Sequence, residues 1–362
     1  MVLSRGFDGP RVAKPGETAE ILDLLQRIFG NPGFSMLAEY PHLYGDMESN
    51  LDWCHVIAHR GRIVSHTGIY PLKFVAGARS VMVGGIGAVA TEPAYRGKGM
   101  MSAFLDYSTA WMRGHGMPVS ILWGDRLRYA RYGWEPAGAA WSFTMNQRSA
   151  GALARYREPV REIAEPGPYL DDLHAIHQAL PLRVDRTRDE FGLVLRKAGR
   201  KVFAAFEGRK PAAFVIAAGR REGKGRRSEE WWNLQLAAGS RKGILSIIRW
   251  FLSRPGARGV GGQVPVEWRG YLNDLVDCAD HWRGTGIGAL GQVKVVDLKE
   301  TVSALGAGGL VPAVRRLRLP VTRQASLLFG PLPASAHLPP AKARRFAGKL
   351  PLPFYLWPCD HV

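Results

Sequence analysis

The chain has 362 residues, of which 46% are hydrophobic and 22% are charged, and its formal net charge is +18 at pH 7. No apolar run reaches the roughly 18 residues of a bilayer-spanning helix, and the first ten residues lack the apolar core of a secretory signal. Three widely separated cysteines do not form a disulfide framework pattern. These features predict a cytoplasmic protein of more than one domain and argue against a membrane-spanning or disulfide-stapled one.

The positive charge is spread along most of the chain. Its one dense run, Arg220–Arg227, contains two glycines and lies between two apolar segments. This context favours a solvated hairpin loop over a nucleic-acid-binding patch, and no ring-stacking signature of an RNA-binding module is present. Neither nucleic acid nor a membrane is therefore expected as a partner.

The first 147 residues alternate helical and strand-like patterns. Apolar residues at helical spacing predict a helix within 17–30, and residues 53–77 predict a hairpin that turns at 59–62. The patterns that follow predict a strand, a helix, a short buried strand, a short helix and a closing strand, over residues 82–91, 100–116, 118–124, 125–134 and 139–146 respectively.

Residues 148–170 mix charges with glycine and proline and predict a linker. A second unit then repeats the order of the first: helices, a hairpin over 201–219, a strand over 231–239 and a long helix over 243–254. The third part, from about residue 291, contains a strand-like and a helical pattern and ends in an apolar, aromatic terminus that we expect to be packed.

The most distinctive stretch is "TEPAYRGKGMMSAF", Thr91–Phe104, where the strand over 82–91 passes into the next helix. Backbone N–H groups at a helix N-terminus lack partners, and the helix dipole adds positive charge there. Gly97 and Gly99 allow the backbone to approach a ligand, and Arg96 and Lys98 add full charges. The stretch predicts an anion cradle suited to a diphosphate. It is neither a Walker loop nor a dinucleotide fingerprint, whose third glycine is missing.

Two motifs in this region carry a family resemblance. The stretch "VATEPAYRGKGMMSAFL" resembles motif A of the GCN5-related N-acetyltransferase (GNAT) family, and "RYARYGW", about 30 residues later, resembles its motif B. The resemblance covers residues 1–147 and implies acetyl-coenzyme A as co-substrate. It also implies a set of contacts, with backbone for the pantetheine arm at Val89 and Thr91 and diphosphate contacts at Arg96, Gly97, Lys98, Gly99 and Met100.

The whole layout is similar to the enhanced-intracellular-survival (Eis) type within this family. That similarity implies an α/β (α+β) fold of tandem GNAT-like mixed β-sheets flanked by helices, with domains 1–147, 148–290 and 291–362. The second domain is expected to be degenerate, because its strand-to-helix junction "AAGSRKGIL" lacks the double-glycine loop. The third is expected to be a short sterol-carrier-like segment whose terminus reaches the active site, and the resemblance implies a homo-oligomer.

Acyl transfer from a thioester to an amine needs a base for the amine and an acid for the departing thiolate. The resemblance assigns the acid to Tyr129, for which a core tyrosine is the alternative, and Tyr132 is interpreted as a core residue paired with Trp134. The strand over 82–91 carries no carboxylate. Two sources of the base stay open: Glu92, just after this strand, and the terminal carboxylate of Val362, which the similarity to the Eis type implies and whose alternative is a solvated tail.

The sequence thus predicts an acyltransferase that moves an acetyl group from acetyl-coenzyme A to a primary amine of a small molecule or a lysine side chain. No metal is expected, because no spacing of histidines and cysteines matches a metal site. Two alternatives stay open: a non-catalytic coenzyme-A-binding sensor, and an aminoacyl-tRNA-dependent transferase. The basic charge suits the latter, but such proteins typically lack an intact diphosphate loop.

Overall fold

The computed structural model describes residues 6–31, 33–222, 229–268, 279, 281–285 and 291–362. Two compact units divide the chain. The first comprises residues 1–137, 291–352 and 362, and the second comprises residues 138–290 and 353–361. Most of the predicted third part thus belongs to the first unit. Within the described ranges, no helix is both long enough and apolar enough to cross a membrane.

The strands, in chain order, are β1 (Phe7–Val12), β2 (Cys54–His59), β3 (Arg62–Ala76), β4 (Arg79–Thr91), β5 (Val119–Leu122), β6 (Glu135–Pro136), β7 (Ala140–Asn146), β8 (Val160–Ile163), β9 (Leu182–Asp185), β10 (Arg200–Glu207), β11 (Lys210–Glu222), β12 (Glu229–Gly239), β13 (Ala257–Pro265), β14 (His281–Thr285) and β15 (Gln292–Val295).

The α-helices are α1 (Thr18–Phe29), α2 (Met36–Glu39), α3 (Pro41–Tyr44), α4 (Met100–Gly114), α5 (Arg126–Tyr129), α6 (Leu170–Gln178), α7 (Arg188–Leu195), α8 (Arg241–Leu252), α9 (Leu298–Ala304), α10 (Val311–Arg316), α11 (Val321–Phe329) and α12 (Pro340–Ala343).

The first unit is built on a mixed sheet in the order β1-β2-β3-β4-β5-β15-β6. Strands β1 to β4 are antiparallel, and the two-residue turn between β2 and β3 takes positive φ at both Arg60 and Gly61, as a tight hairpin requires. Strand β5 is parallel to β4 because α4 connects them. Helix α1 buries Ile21, Leu24 and Leu25 in the core cluster on one face of the sheet. Helix α4 contributes to the core cluster on the other face.

The second unit repeats this plan in the order β14-β7-β13-β12-β11-β10-β8. Two hairpins, β10–β11 and β11–β12, are followed by α8 and the parallel strand β13. The repetition confirms the predicted fold class of tandem mixed sheets flanked by helices. The pairing of Glu222 with Glu229 brings the ends of β11 and β12 together. The loop predicted over Arg220–Arg227 lies mostly outside the described residues.

For two strands, the sequence did not predict which sheet each one joins. Residues 139–146 were expected to close the first sheet, yet β7 pairs with β13 of the second sheet from Asn146 to Ala140. The first sheet is extended instead by β15, which lies between β5 and β6 and is antiparallel to both. Alternation of apolar residues predicts that a segment is a strand, but it does not select the partner strand.

Candidate functional site

At the middle of the first sheet, β5 pairs with only part of β4. Their parallel ladder runs from Val83–Val119 to Ile86–Leu122, whereas β4 continues to Thr91. A bulge lies just beyond the ladder, where Ala88 has φ 48°. Between the pairs His66–Ala90 and Gly68–Gly87, β4 has two residues where β3 has one. Such a bulge re-aims the backbone that follows it. The end of β4 thus leaves β5 and forms one wall of an open space.

The glycine turn before α4 forms the next wall. Gly97 and Gly99 have φ of 77° and 82°, in the left-handed region that glycine favours, and a Cβ added at Gly97 would meet nothing within 4 Å. Among the described residues, no side chain caps the first turn of α4. The equivalent turn of α8 is capped, because the Ser240 hydroxyl accepts from the Gly243 N–H at 3.2 Å. The two turns therefore differ: a side chain caps the first turn of α8, whereas the first turn of α4 has no such cap.

A cleft of about 820 Å³ connects these walls. Of the predicted site residues, it is lined by Val89, Thr91, Arg96, Gly97, Gly99, Met100 and Tyr129. Two predicted residues are not in its lining. The Lys98 ammonium lies 4.6 Å from the centre of the Tyr95 ring, at the exposed side of the turn. Val362 lies against an earlier part of β4.

The cleft also contains residues that the predicted site did not include. Met101, Ser102, Arg128, Arg131 and Tyr132 are all in its lining. Tyr132 had been interpreted as a core residue. It is only half-buried, and its hydroxyl shares a hydrogen bond with Ser102 in the first turn of α4. The arginines clustered around Tyr129 in "DRLRYARYGW" could have indicated that Arg128 and Arg131 belong to the site. The pattern of a short helix alone does not show toward which side these arginines point.

The charge of the cleft suits a phosphorylated ligand. Its lining carries three arginines and, among the described residues, no acidic side chain. The Arg96 guanidinium Nε donates to the Thr91 carbonyl at 3.4 Å, which holds its exposed side chain near the end of β4. Guanidinium groups beside a left-handed glycine turn are the donors that a diphosphate requires. The open space over Gly97 is where a side chain would otherwise obstruct such a group.

Tyr129 lies at the buried side of the cleft, with 9% of its surface exposed. Its ring packs on Gly124, where an added Cβ would come within 2.7 Å of the ring. Burial raises the pKa of the Tyr129 phenol, and Asp125 adds to the effect while Arg128 opposes it. The hydroxyl therefore keeps its proton at neutral pH and is able to donate it.

The two candidate bases occupy different places. Glu92 forms an ion pair with Arg27 of α1. Val362 packs against β4 just before the bulge: a Cβ added at Gly87 would lie 2.6 Å from the carboxyl carbon of Val362. A Cβ added at Gly85 would lie 2.7 Å from the side chain of Val362. Glycine at these positions is what allows the terminus to approach the strand.

The residues that precede Val362 are buried within the second unit. Asp360 is fully buried and pairs with Arg186 at 2.5 Å, and its other oxygen accepts from the Trp357 N–H at 3.1 Å. The Lys197 ammonium donates to the carbonyl of Cys359 at 3.0 Å. The tail is thus held by a buried ion pair and several hydrogen bonds.

Comparison with known proteins agrees with this architecture. Residues 10–137 match the model of the acetyltransferase (GNAT) domain family. Eis1 from Mycobacterium abscessus is similar at 13% identity and a TM-score of 0.58, over 81% of this chain and 75% of that one. A GCN5-related N-acetyltransferase from Anabaena variabilis is similar at 16% identity and a TM-score of 0.60, over 82% and 75%.

A probable N-acyltransferase from Enterococcus faecalis is similar at 16% identity and a TM-score of 0.61, over 82% of this chain and 74% of that one. No curated protein sequence matches this chain. At such low identities the likeness to solved structures establishes the fold. The match over residues 10–137 confirms the resemblance to the GNAT family that the two motifs carry.

Proposed function

We propose that this chain, whose residues 10–137 belong to the GNAT acetyltransferase family, moves an acetyl group from acetyl-coenzyme A to a primary amine of a small molecule or a lysine side chain. One observation carries the proposal: a single cleft joins the end of β4 beyond its pairing with β5, the glycine turn before α4 and the buried Tyr129. Acetyl-coenzyme A supplies the activated acetyl group as a thioester.

The donor is held by backbone and by charge. Beyond the β4–β5 ladder, the backbone of Val89 and Thr91 is available to the amides of a pantetheine arm, which would add to the sheet edge. The diphosphate is bound by the turn from Arg96 to Met100, whose left-handed glycines and uncapped first helical turn form the cradle. Lys98 adds a positive charge at the exposed side of this turn.

The proton transfers are divided between two groups. Tyr129 donates the proton that the departing thiolate needs; its place in the lining of the cleft, with its phenol protonated at neutral pH, supports this role. The α-carboxylate that Val362 carries in this chain accepts the proton of the amine. Its approach to Gly87, one residue before the bulge, supports this role. Glu92 is less suited because it is already paired with Arg27.

Donor binding is tested by calorimetry with acetyl-coenzyme A on the full chain. Replacing Arg96 by glutamine removes a charged hydrogen-bond donor, which is worth about 1.5–3 kcal/mol, so we expect Kd to rise about tenfold or more. Arg60→Gln, at the exposed β2–β3 turn, is the control and leaves Kd unchanged. Equal affinities for both variants would refute the assignment of the diphosphate to this turn.

The acid is tested by comparing Tyr129→Phe with Tyr132→Phe, because both tyrosines line the cleft. Loss of a general acid lowers turnover by about a hundredfold or more, so Tyr129→Phe is expected to reduce kcat strongly while the Kd of acetyl-coenzyme A stays the same. Tyr132→Phe is expected to change kcat little. Similar turnover in both variants would show that the phenol of Tyr129 donates no proton.

The acceptor is identified by measuring thiol release with aminoglycosides, polyamines and lysine-containing peptides. A burst of free thiol with one class of amine supports the proposal and names that class. Binding of acetyl-coenzyme A without thiol release across the panel would instead indicate a coenzyme-A sensor. Failure to bind acetyl-coenzyme A, together with binding of aminoacyl-tRNA, would indicate the tRNA-dependent alternative.

A further inference from the structure

Two arginines of the cleft have no part in the functions assigned so far. Arg128 and Arg131 lie in the short helical segment around Tyr129, line the same cleft as the glycine turn, and are both exposed. We propose that they form a subsite for the 3′-phosphate of coenzyme A, so that the enzyme selects the 3′-phosphorylated form of its donor. This inference rests on the proposed function.

The argument begins with the shape of the donor. Coenzyme A is elongated, with its diphosphate between the pantetheine arm and an adenosine that bears a 3′-phosphate. If the arm follows Val89 and Thr91 and the diphosphate lies at the turn from Arg96 to Met100, the adenosine has to occupy the rest of the cleft. Beyond that turn, the only cations in the described lining are Arg128 and Arg131.

Local contacts hold Arg131 near the turn, and Arg128 lines the same cleft. The hydrogen bond between Tyr132 and Ser102 ties the segment that carries Arg131 to the first turn of α4. The Arg131 guanidinium lies 5.0 Å from the centre of the Tyr132 ring, which keeps it at the rim of the cleft. Both arginines are therefore close to the expected path of the ligand.

The charges also favour a phosphate. A phosphate monoester carries a charge of about −1.5 to −2 at neutral pH, and arginine binds it through paired hydrogen bonds. Arg128 has one acidic neighbour, Asp125, at 3.5 Å, and the two side chains are 69% and 50% exposed. An exposed pair of this kind contributes little, so a phosphate dianion is able to displace it.

The test compares acetyl-coenzyme A with its 3′-dephospho analogue by calorimetry on the full chain. Two exposed arginines facing a dianion correspond to a preference of about tenfold for the phosphorylated form at low ionic strength. We expect Arg128→Gln/Arg131→Gln to bring the ratio of the two Kd values close to one, chiefly by weakening acetyl-coenzyme A. Raising the salt concentration should reduce the wild-type preference as well.

Arg126→Gln is the matched control. Arg126 lies on the same short helix and pairs with Glu135 through Nε at 2.9 Å, outside the cleft lining, so the preference should persist. A wild-type ratio near one, or a full preference in the double variant, would overturn the subsite and leave the proposed function intact. Failure of both ligands to bind the wild-type chain would overturn the proposed function, and the subsite with it.

Discussion

Placing a negative charge in the glycine turn gives the sharpest test of the diphosphate cradle. Gly97→Asp puts a carboxylate where nothing lies within 4 Å of the new Cβ. Gly77→Asp is its matched control, because Gly77 also has positive φ, at 60°, and equally open surroundings. A non-glycine residue in this conformation costs about 1–2 kcal/mol. Both variants should therefore lose similar stability, and only their effects on the ligand should differ.

The magnitude follows from distance and dielectric constant. Two unit charges 4 Å apart interact by about 1 kcal/mol in water and about 4 kcal/mol near a protein surface. The turn is exposed, so we expect the lower half of this range, about 1–2.5 kcal/mol, which is a rise in Kd of about five- to seventyfold for Gly97→Asp. Gly77 lies beyond the other end of the 13-residue strand β4, whose length is about 40 Å at 3.3 Å per residue. Salt screens charges over about 10 Å, so Gly77→Asp should leave Kd unchanged.

The assay is titration calorimetry with acetyl-coenzyme A at low and high salt, with melting temperatures measured on the same samples. The expected result is matched melting temperatures, a higher Kd for Gly97→Asp alone, and a smaller difference at high salt. If both variants bind acetyl-coenzyme A as the wild type does, the diphosphate is not bound at this turn and the reasoning fails.

Three further predictions concern the terminus and the buried charges. Gly87→Ala should lower kcat while acetyl-coenzyme A still binds, since the new Cβ would be 2.6 Å from the carboxyl carbon of Val362; unchanged turnover would contradict a role for that carboxylate. Asp360→Asn should lower the free energy of unfolding in urea by about 3–5 kcal/mol, because it leaves the buried Arg186 without its ion pair; a loss below 1 kcal/mol would count against this. Burial lowers the pKa of His66 to about 4. The unfolded state thus binds more protons between pH 4 and the ordinary value near 6.5, so the stability from neutral His66 is complete above pH 6.5 and is lost towards pH 4, by about 3 kcal/mol. Urea unfolding of His66→Asn should show a smaller pH dependence than the wild type, and an identical dependence would refute the assignment.

Features that depend on neighbours in the chain were predictable. The hairpin turn at residues 59–62 and the amphipathic helices α1 and α4 follow from local pattern and turn chemistry. The positive φ of Gly97 and Gly99 also follows locally, because the compact passage from a strand into a helix needs residues that tolerate the left-handed region. The glycine turn and the first turn of α4 lie in the lining of the cleft, and so the sequence alone indicated the kind of ligand to expect.

Features that depend on distant partners were decided only by the tertiary structure. The segment that forms β15 follows β5 by about 170 residues, yet it extends the same sheet, whereas β7 pairs within the other sheet. The contact of Val362 with Gly87 and the ion pair of Glu92 with Arg27 likewise join residues far apart in the chain. Local pattern specifies which face of an element is apolar. The choice of neighbour depends on how all the apolar faces are buried together, and for that reason only the folded chain selects the partner of each strand and the direction of each polar side chain.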